Sequence, residues 1–397
     1  MLDIFIAMLL GIACGIVTGL VPGVHVNMVS ALLLSAAPVL LKITDAMPLS
    51  VFIISMAVVH TFLDTIPSIY LGAADVENVM AVLPGQRMLL DGKGYEAVKL
   101  TIMGSFGALL LVIGAAPMLV VLMSVLQPIV EPWIGWLLIV LVLWMISREK
   151  KKMMALFVFL LSGVFGLIVL HLGIEQVLFP MLSGLFGVSS LVLSLQENVK
   201  IPEQKISRAM NYDVQRLMKT TTCAGVIGSF AGFFPGLGPA QAAALGTVFM
   251  KGGGKEFLVL VGGLGTANMV TSLVTLYTLD KARNGAIVVV RELLDAVNVV
   301  DFVIFLLVAL TVGCVGVMLT LFFARRFAQW LGKVNYRMMC ASVIVFIVAL
   351  VLLIPGWKGI IVLAVATLLG MIAPLSNTTR SHAMGCLLLP VILWFVM

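Results

Sequence analysis

Residues 15–23 read GIVTGLVPG, and residues 228–236 read GSFAGFFPG. Gly15, Gly19, Pro22 and Gly23 align with Gly228, Gly232, Pro235 and Gly236 at one constant offset. Each copy interrupts an apolar run and leads into a second one, VHVNMVSALLLS after the first and LGPAQAAALGTV after the second. Proline removes a backbone donor and disfavours helix at the residue before it, and glycine tolerates the unwound geometry that results. Broken backbone at membrane depth is allowed only where it is buried in protein or lines a wet cavity. Pro-Gly-interrupted hydrophobic segments at matching places in two halves point to the binding site of a transporter.

The rest of the chain agrees with a membrane setting. Of its 397 residues, 62% are hydrophobic and 11% charged, against about half and about a quarter in soluble domains. Apolar runs of roughly 18 residues or more, enough to cross a bilayer as helix, recur from end to end. The fold class expected is therefore all-α, a polytopic integral membrane protein of the cytoplasmic membrane. The apolar–polar alternation of a spanning β-barrel is missing. The longest polar stretch runs over about residues 196–219, so no soluble domain is expected. The opening MLDIF lacks the positive n-region of a cleaved signal peptide, and the first hydrophobic segment is expected to stay. The net charge of +6 sits in loops and forms no basic stripe with interleaved aromatics, so no nucleic-acid partner is expected. The five cysteines fall in or beside apolar runs without a CxxC pair, which indicates neither disulfides nor zinc.

Taking each broken segment with its downstream run as one helical hairpin places hairpins near residues 4–41 and 217–250. Single spans follow near 48–70, 101–126, 133–147, 153–171 and 177–196, and near 257–279, 302–324, 338–354, 359–374 and 383–397. Lys and Arg collect on cytoplasmic loops. Putting Arg148, Lys150, Lys151 and Lys152 inside also puts inside the loops with Arg87, Lys93 and Lys99, with Lys200 to Lys219, and with Arg325 to Arg337, together with Lys251, Lys255 and Arg380. Only Lys42, Lys281, Arg283, Arg291 and Lys358 of the 24 basic residues are left outside. An odd number of crossings then separates the two hairpins, so they enter from opposite sides. The expected organisation is an inverted repeat: residues 1–196, a cytoplasmic linker at 197–216, and residues 217–397, each half a hairpin plus about five spans.

Gly11, Gly15, Gly19 and Gly23, and Gly228, Gly232 and Gly236, recur every four residues. Small residues at this spacing let helices approach closely in lipid, and simple packing would account for the ladders alone. After the breaks, new half-helices are expected at Val24 and Leu237. Their N-terminal N–H groups and positive dipole ends suit carboxylates or phosphates, which makes Pro22, Gly23, His25, Asn27, Pro235, Gly236, Gly238 and Gln241 candidate substrate ligands. The span after each hairpin is unusually polar. HTFLDTIPSIY carries His60, Thr61, Asp64, Thr65 and Ser68; TANMVTSLVTLYT carries Thr266, Asn268, Thr271, Ser272 and Thr275. Matching SIY at 68–70 with TLY at 275–277 makes Ser68 and Thr275 counterparts. Ionisable residues inside a span are expensive and functional by default, so Asp64 is the candidate cation or proton site. His60, four residues away on one helical face, is its partner or a substrate ligand; a purely structural His60–Asp64 pair is the alternative. Thr65, Ser68, Asn268, Thr271, Ser272 and Thr275 complete the candidate substrate set. SNTTRSH at 376–382 reads as a plain cytoplasmic loop, and His171 with Glu175 as a solvated external turn. GGGK at 252–255 lacks the spacing of a P-loop, and no enzyme motif is present.

At GLVPGVHVN with GFFPGLGPA, at HTFLDTIPSIYLGA followed by VLPGQRMLLDGKGYEAV, and at GTANMVTSLVTLYTLDKARNGA, the chain resembles the large membrane subunit (permease) of the tripartite tricarboxylate transporter family, in its shorter archaeal-type form. The resemblance implies a secondary active transporter of small carboxylates, a di- or tricarboxylate such as citrate, driven by a Na⁺ or H⁺ gradient. It needs no cofactor beyond Na⁺ as a coupling ion. It also implies, besides the surrounding membrane lipids, a small membrane subunit and an extracytoplasmic binding protein as partners, and leaves room for a homo-oligomer. The rival expectations are a channel or exporter of another small solute on the same fold, and a non-transporting membrane scaffold.

Overall fold

A computed structural model describes residues 2–22, 24, 26–72, 82–174, 176–196, 202–206, 212–233, 238–240, 242–243, 246, 253–294, 296–331 and 336–397. Among them the regular structure is all helical. Helices α1 (Leu2–Leu20) and α2 (Val26–Leu40) flank the first Pro-Gly break. Helix α3 (Ala46–Leu63) continues into a π-turn at Pro67–Leu71. Then come α4 (Val82–Leu90), α5 (Gly94–Val130), α6 (Ile134–Ser147) and α7 (Lys152–Leu170). Helices α8 (Leu178–Leu182) and α9 (Ser189–Gln196) are joined by a π segment, Ser183–Val188.

Helix α10 (Val214–Phe233) precedes the second break. It is followed by α11 (Gly254–Leu279), α12 (Gly285–Leu293), α13 (Val299–Leu331), α14 (Tyr336–Leu353) and α15 (Trp357–Leu375). A 3₁₀ turn at Arg380–Met384 leads into α16 (Gly385–Val396). Seven of the described helices are long and apolar enough to cross a membrane, which makes this a multi-pass membrane protein. Leu9, Val121, Val140, Phe157, Val303 and Leu307 are exposed, an apolar outer surface that suits lipid rather than water.

Two features depart from the sequence expectation. Helices α5 and α13, of 37 and 33 residues, run well past their expected ends. At 1.5 Å per residue each exceeds the roughly 30 Å hydrocarbon core, so it tilts or projects. The short α4 and α12 were not expected at all. They occupy matching places in the two halves, between the polar span and the long helix.

The glycine ladders are packing surfaces. A Cβ on Gly15 would lie 2.8 Å from the Met56 carbonyl oxygen, and one on Gly19 2.7 Å from Leu63 Cβ. Gly228 and Gly232 meet Ala267 and Asn268 in the same way. Each ladder thus seats the helix before a Pro-Gly break against a polar span, α1 on α3 and α10 on α11.

The polar spans also pack on the long helix of the other half. Helices α5 and α11 touch through the Glu96–Lys255 ion pair at 2.5 Å, a Ser105 hydroxyl donating to the Gly262 carbonyl at 2.9 Å, and Thr275 against Met123 at 3.8 Å. Residue numbers rise together, so these two helices run in the same direction. Helix α3 runs alongside α13 likewise. Phe62 lies against Gly313 and Gly316, while Tyr70 donates to the Ala324 carbonyl at 3.1 Å and stacks on Phe327. Tyr277, the counterpart of Tyr70, stacks instead on Phe302 at the other end of α13. The two polar spans therefore run in opposite directions. A second group of helices lies beside this core, with α7 against α16 and α15 against the 183–188 π segment.

Candidate functional site

Helices α3 and α11 are buried almost throughout, so their polar side chains answer to protein rather than lipid. On α3, Thr61 shares a hydrogen bond of 3.2 Å with Thr266 of α11. This contact joins the two polar spans. His60 and Asp64 flank it, each 2% exposed, with Nε2 and Oδ2 3.9 Å apart. The regular helix stops at Leu63, where Asp64 caps it. Pro67 cannot donate to the ladder, and the backbone loosens into the π-turn, a distortion common at functional sites. Ser68 donates to the Asp64 carbonyl at 2.8 Å and Thr65 to the Phe62 carbonyl at 3.1 Å. On α11, Thr271 donates to Ser229 at 3.0 Å, Ser272 to the Asn268 carbonyl at 2.8 Å, and Thr275 to the carbonyls of Thr271 and Gly232. Because the spans run oppositely, Ser68 and Thr275 lie on opposite sides of the Thr61–Thr266 contact. They are counterparts and not neighbours.

Around the first break, Pro22 lies two residues past the end of α1 and Asn27 at the start of α2. A Cβ on Gly285 would come within 2.6 Å of Asn27 Cγ, so α2 abuts the start of α12. Asn284 caps that helix, accepting from the Ile287 N–H at 2.9 Å. At the second break the Gly238 carbonyl accepts from the Ala242 N–H at 3.0 Å, opening a helical turn. Gly23, His25, Pro235, Gly236 and Gln241 lie outside the described residues.

The loop reading of 376–382 is corrected by the structure. Thr378, Arg380, Ser381 and His382 are buried, and with Asn377 and Thr379 they line a cleft of about 890 Å³. Its walls include Arg87, Arg148, Glu149, Lys150, Phe186, Ser190 and Phe257. The segments around Arg87, Arg148 to Lys150 and Arg380, three of those whose basic residues pointed to the cytoplasm, meet at this opening. Asn377 takes a left-handed turn conformation, φ 56°, which asparagine tolerates better than most residues. Arg380 Nη1 donates to the Phe186 carbonyl at 3.3 Å and to the Ser190 hydroxyl. Glu149 accepts from Thr379 and lies 3.3 Å from His382 Nε2. Burial alone would raise the Glu149 carboxyl, but those two partners outweigh it and hold it below its ordinary value.

The model of the tripartite tricarboxylate transporter TctA family matches residues 5–385. The chain belongs to that family. An uncharacterized protein of Methanocaldococcus jannaschii is 29% identical over 404 residues, covering 98% of each chain. No solved structure matches with significance. Membership in the TctA family makes the chain a membrane permease and a component of a carboxylate transport system, and not an enzyme.

For a TctA-family permease the distribution of charge is informative. The paired spans carry Asp64 and a set of hydroxyl and carbonyl oxygens, the ligand chemistry of a hard cation. Near the Thr61–Thr266 contact neither span contributes a Lys or Arg. The cleft is the reverse, with Arg87, Arg148, Lys150 and Arg380 against Glu149. Sequence reading missed the cleft because an arginine in a loop doubles as a topology signal. The density of polar residues in SNTTRSH is the one clue it offered.

Proposed function

We propose that this permease is a secondary active carrier of di- or tricarboxylates, driven by a Na⁺ or H⁺ gradient, with Asp64 as the coupling site. The observation that carries the reading is a carboxylate 2% exposed, at a broken helix, beside the contact that joins the two polar spans. A buried ionisable group of this kind is expensive to keep in a membrane protein unless it works. The opposite directions of α3 and α11 support reading residues 1–196 and 217–397 as an inverted repeat around the site, with residues 197–216 as the linker. On this reading the two breaks, at residues 22–27 and 235–241, offer helix N-termini to the substrate, and His60, Thr65, Ser68, Asn268, Thr271, Ser272 and Thr275 line its path. A small membrane subunit and an extracytoplasmic binding protein are the partners that the family's tripartite organisation supports.

The test is uptake of labelled citrate and succinate into proteoliposomes under an imposed Na⁺ or H⁺ gradient. Saturable, gradient-dependent uptake is expected, and Asp64→Asn should abolish the gradient dependence while the protein still inserts. Non-saturable flux would replace the carrier by a channel, and an unchanged Asp64→Asn variant would remove Asp64 from the mechanism.

A further inference from the structure

We propose that the cleft beneath the 376–382 turn is a polycarboxylate-binding site on the cytoplasmic side, with Arg380 as its anchoring charge. Arg380 is 9% exposed, and its Nε has no hydrogen-bond partner among the described residues. The bonds from Nη1 to Phe186 and Ser190 fix the guanidinium to the π segment and the start of α9 and leave further N–H donors for a ligand, five being available on the group. No carboxylate neutralises it among the described residues. Glu149, the acidic side chain of the lining, is engaged by Thr379 and His382. A buried cation without a counter-charge is costly, and an incoming carboxylate would relieve that cost with paired N–H···O bonds, the geometry that arginine favours.

The surroundings fit a ligand with more than one negative charge. Arg87, Arg148 and Lys150 add positive charge around Arg380, and the hydroxyl of Ser381 can donate to a remaining oxygen. A volume near 890 Å³ suits a small-molecule site, typically about 300–1,000 Å³. The position suits a carrier as well. Pro84, Arg87 and Phe257 come from the core that holds the polar spans, and the rest of the lining from the neighbouring helix group. Beneath the cleft, a Cβ on Gly187 would lie 3.4 Å from the Gly72 carbonyl, at the end of the π-turn that begins below Asp64. The site therefore adjoins the polar span that the proposed mechanism uses. The inference rests on the carrier reading for its ligand class.

The test uses the purified full chain, titrated calorimetrically with citrate, succinate and inorganic phosphate. Citrate should bind, succinate more weakly and phosphate more weakly still. Arg380→Gln should weaken citrate by at least about tenfold, the loss expected for hydrogen bonds to a charged group. Asn377→Asp, which keeps the left-handed turn and adds one negative charge to the lining, should also weaken it by about tenfold. If Arg380→Gln does not fold, Asn377→Asp decides. Unchanged citrate affinity in Asn377→Asp, or in a folded Arg380→Gln, overturns the site, and the carrier reading stands if gradient-driven uptake persists. Phosphate binding as tightly as citrate overturns the polycarboxylate assignment. A parent protein that neither binds nor takes up any of the carboxylates overturns both.

Discussion

Gly232→Ala tests whether the glycine ladders set the spacing of hairpin and polar span. The added Cβ would lie 2.8 Å from the Asn268 carbonyl oxygen and 3.0 Å from Thr271 Cβ, where ordinary contacts begin at 3.4 Å. Backbone opposes it, so no flexible side chain can swing aside, and α10 and α11 must part by about 0.6 Å. The Thr275–Gly232 hydrogen bond, already 3.3 Å long, would then be lost, and Thr271–Ser229, at 3.0 Å, strained. Overpacking costs roughly 1–3 kcal/mol, and an interhelical hydrogen bond in a membrane about 0.6 kcal/mol. Alanine returns at most about 1 kcal/mol through helix propensity. The net expectation is a loss of about 1–3 kcal/mol. Gly114→Ala is the internal control, because a Cβ there meets nothing within 4 Å and should be neutral or slightly stabilising. Both variants would be compared with the parent by reversible denaturation in mixed micelles. Equal midpoints for Gly232→Ala and Gly114→Ala would refute the spacing role.

Three further outcomes follow from the geometry. A double-mutant cycle of Thr61→Val and Thr266→Val should give a coupling of about 0.6 kcal/mol, below about 2 kcal/mol in any case; additivity in the same denaturation assay would mean that the hydroxyls do not bond. The Glu149 carboxyl is held below its ordinary value, so its contribution is present above the unfolded value near 4.3 and disappears as pH falls through the folded one. Thermal midpoints of the parent should accordingly drop on acidification below about pH 4.3 by more than those of Glu149→Gln, and parallel curves would count against the contacts of Glu149 with Thr379 and His382. For topology, Lys42→Cys should react with an impermeant thiol reagent from outside and Lys255→Cys only from inside; labelling of both from one side would break the assignment.

The apolar spans and the first Pro-Gly break were legible because both are local properties. The reach of α5 and α13 was not, since both helices continue into mixed sequence that tertiary packing stabilises, Gly94 against Leu89, Tyr70 and Gln204 and Phe327 against Tyr70. Nine-residue helices such as VLPGQRMLL and GAIVVVREL show too few turns for a period to register. His60 and Asp64 stood out because charge inside an apolar span is costly. Arg380 did not, because only the tertiary approach of Phe186 and Ser190 turns it from a loop residue into a buried one. Which face each glycine ladder presents was likewise beyond the sequence, although the spacing announced close approach.

The separation of acid from base bears on how transport could be coupled. Two like unit charges 4 Å apart interact by about 4 kcal/mol at an effective dielectric near 20, and a tricarboxylate brings three. A polyanion drawn to Arg380 thus meets a barrier of several kcal/mol in moving from the cleft towards the polar spans while Asp64 is ionised. A proton or Na⁺ at Asp64 would remove that repulsion. Substrate movement would then depend on cation occupancy through electrostatics alone, without a dedicated gate. The same reasoning sets the phenotype of Asp64→Asn. A neutral amide leaves the path open at all times, so uptake should remain saturable through the Arg380 site and become independent of the ion gradient. A variant that loses substrate binding altogether would instead place Asp64 among the groups that shape the carboxylate site.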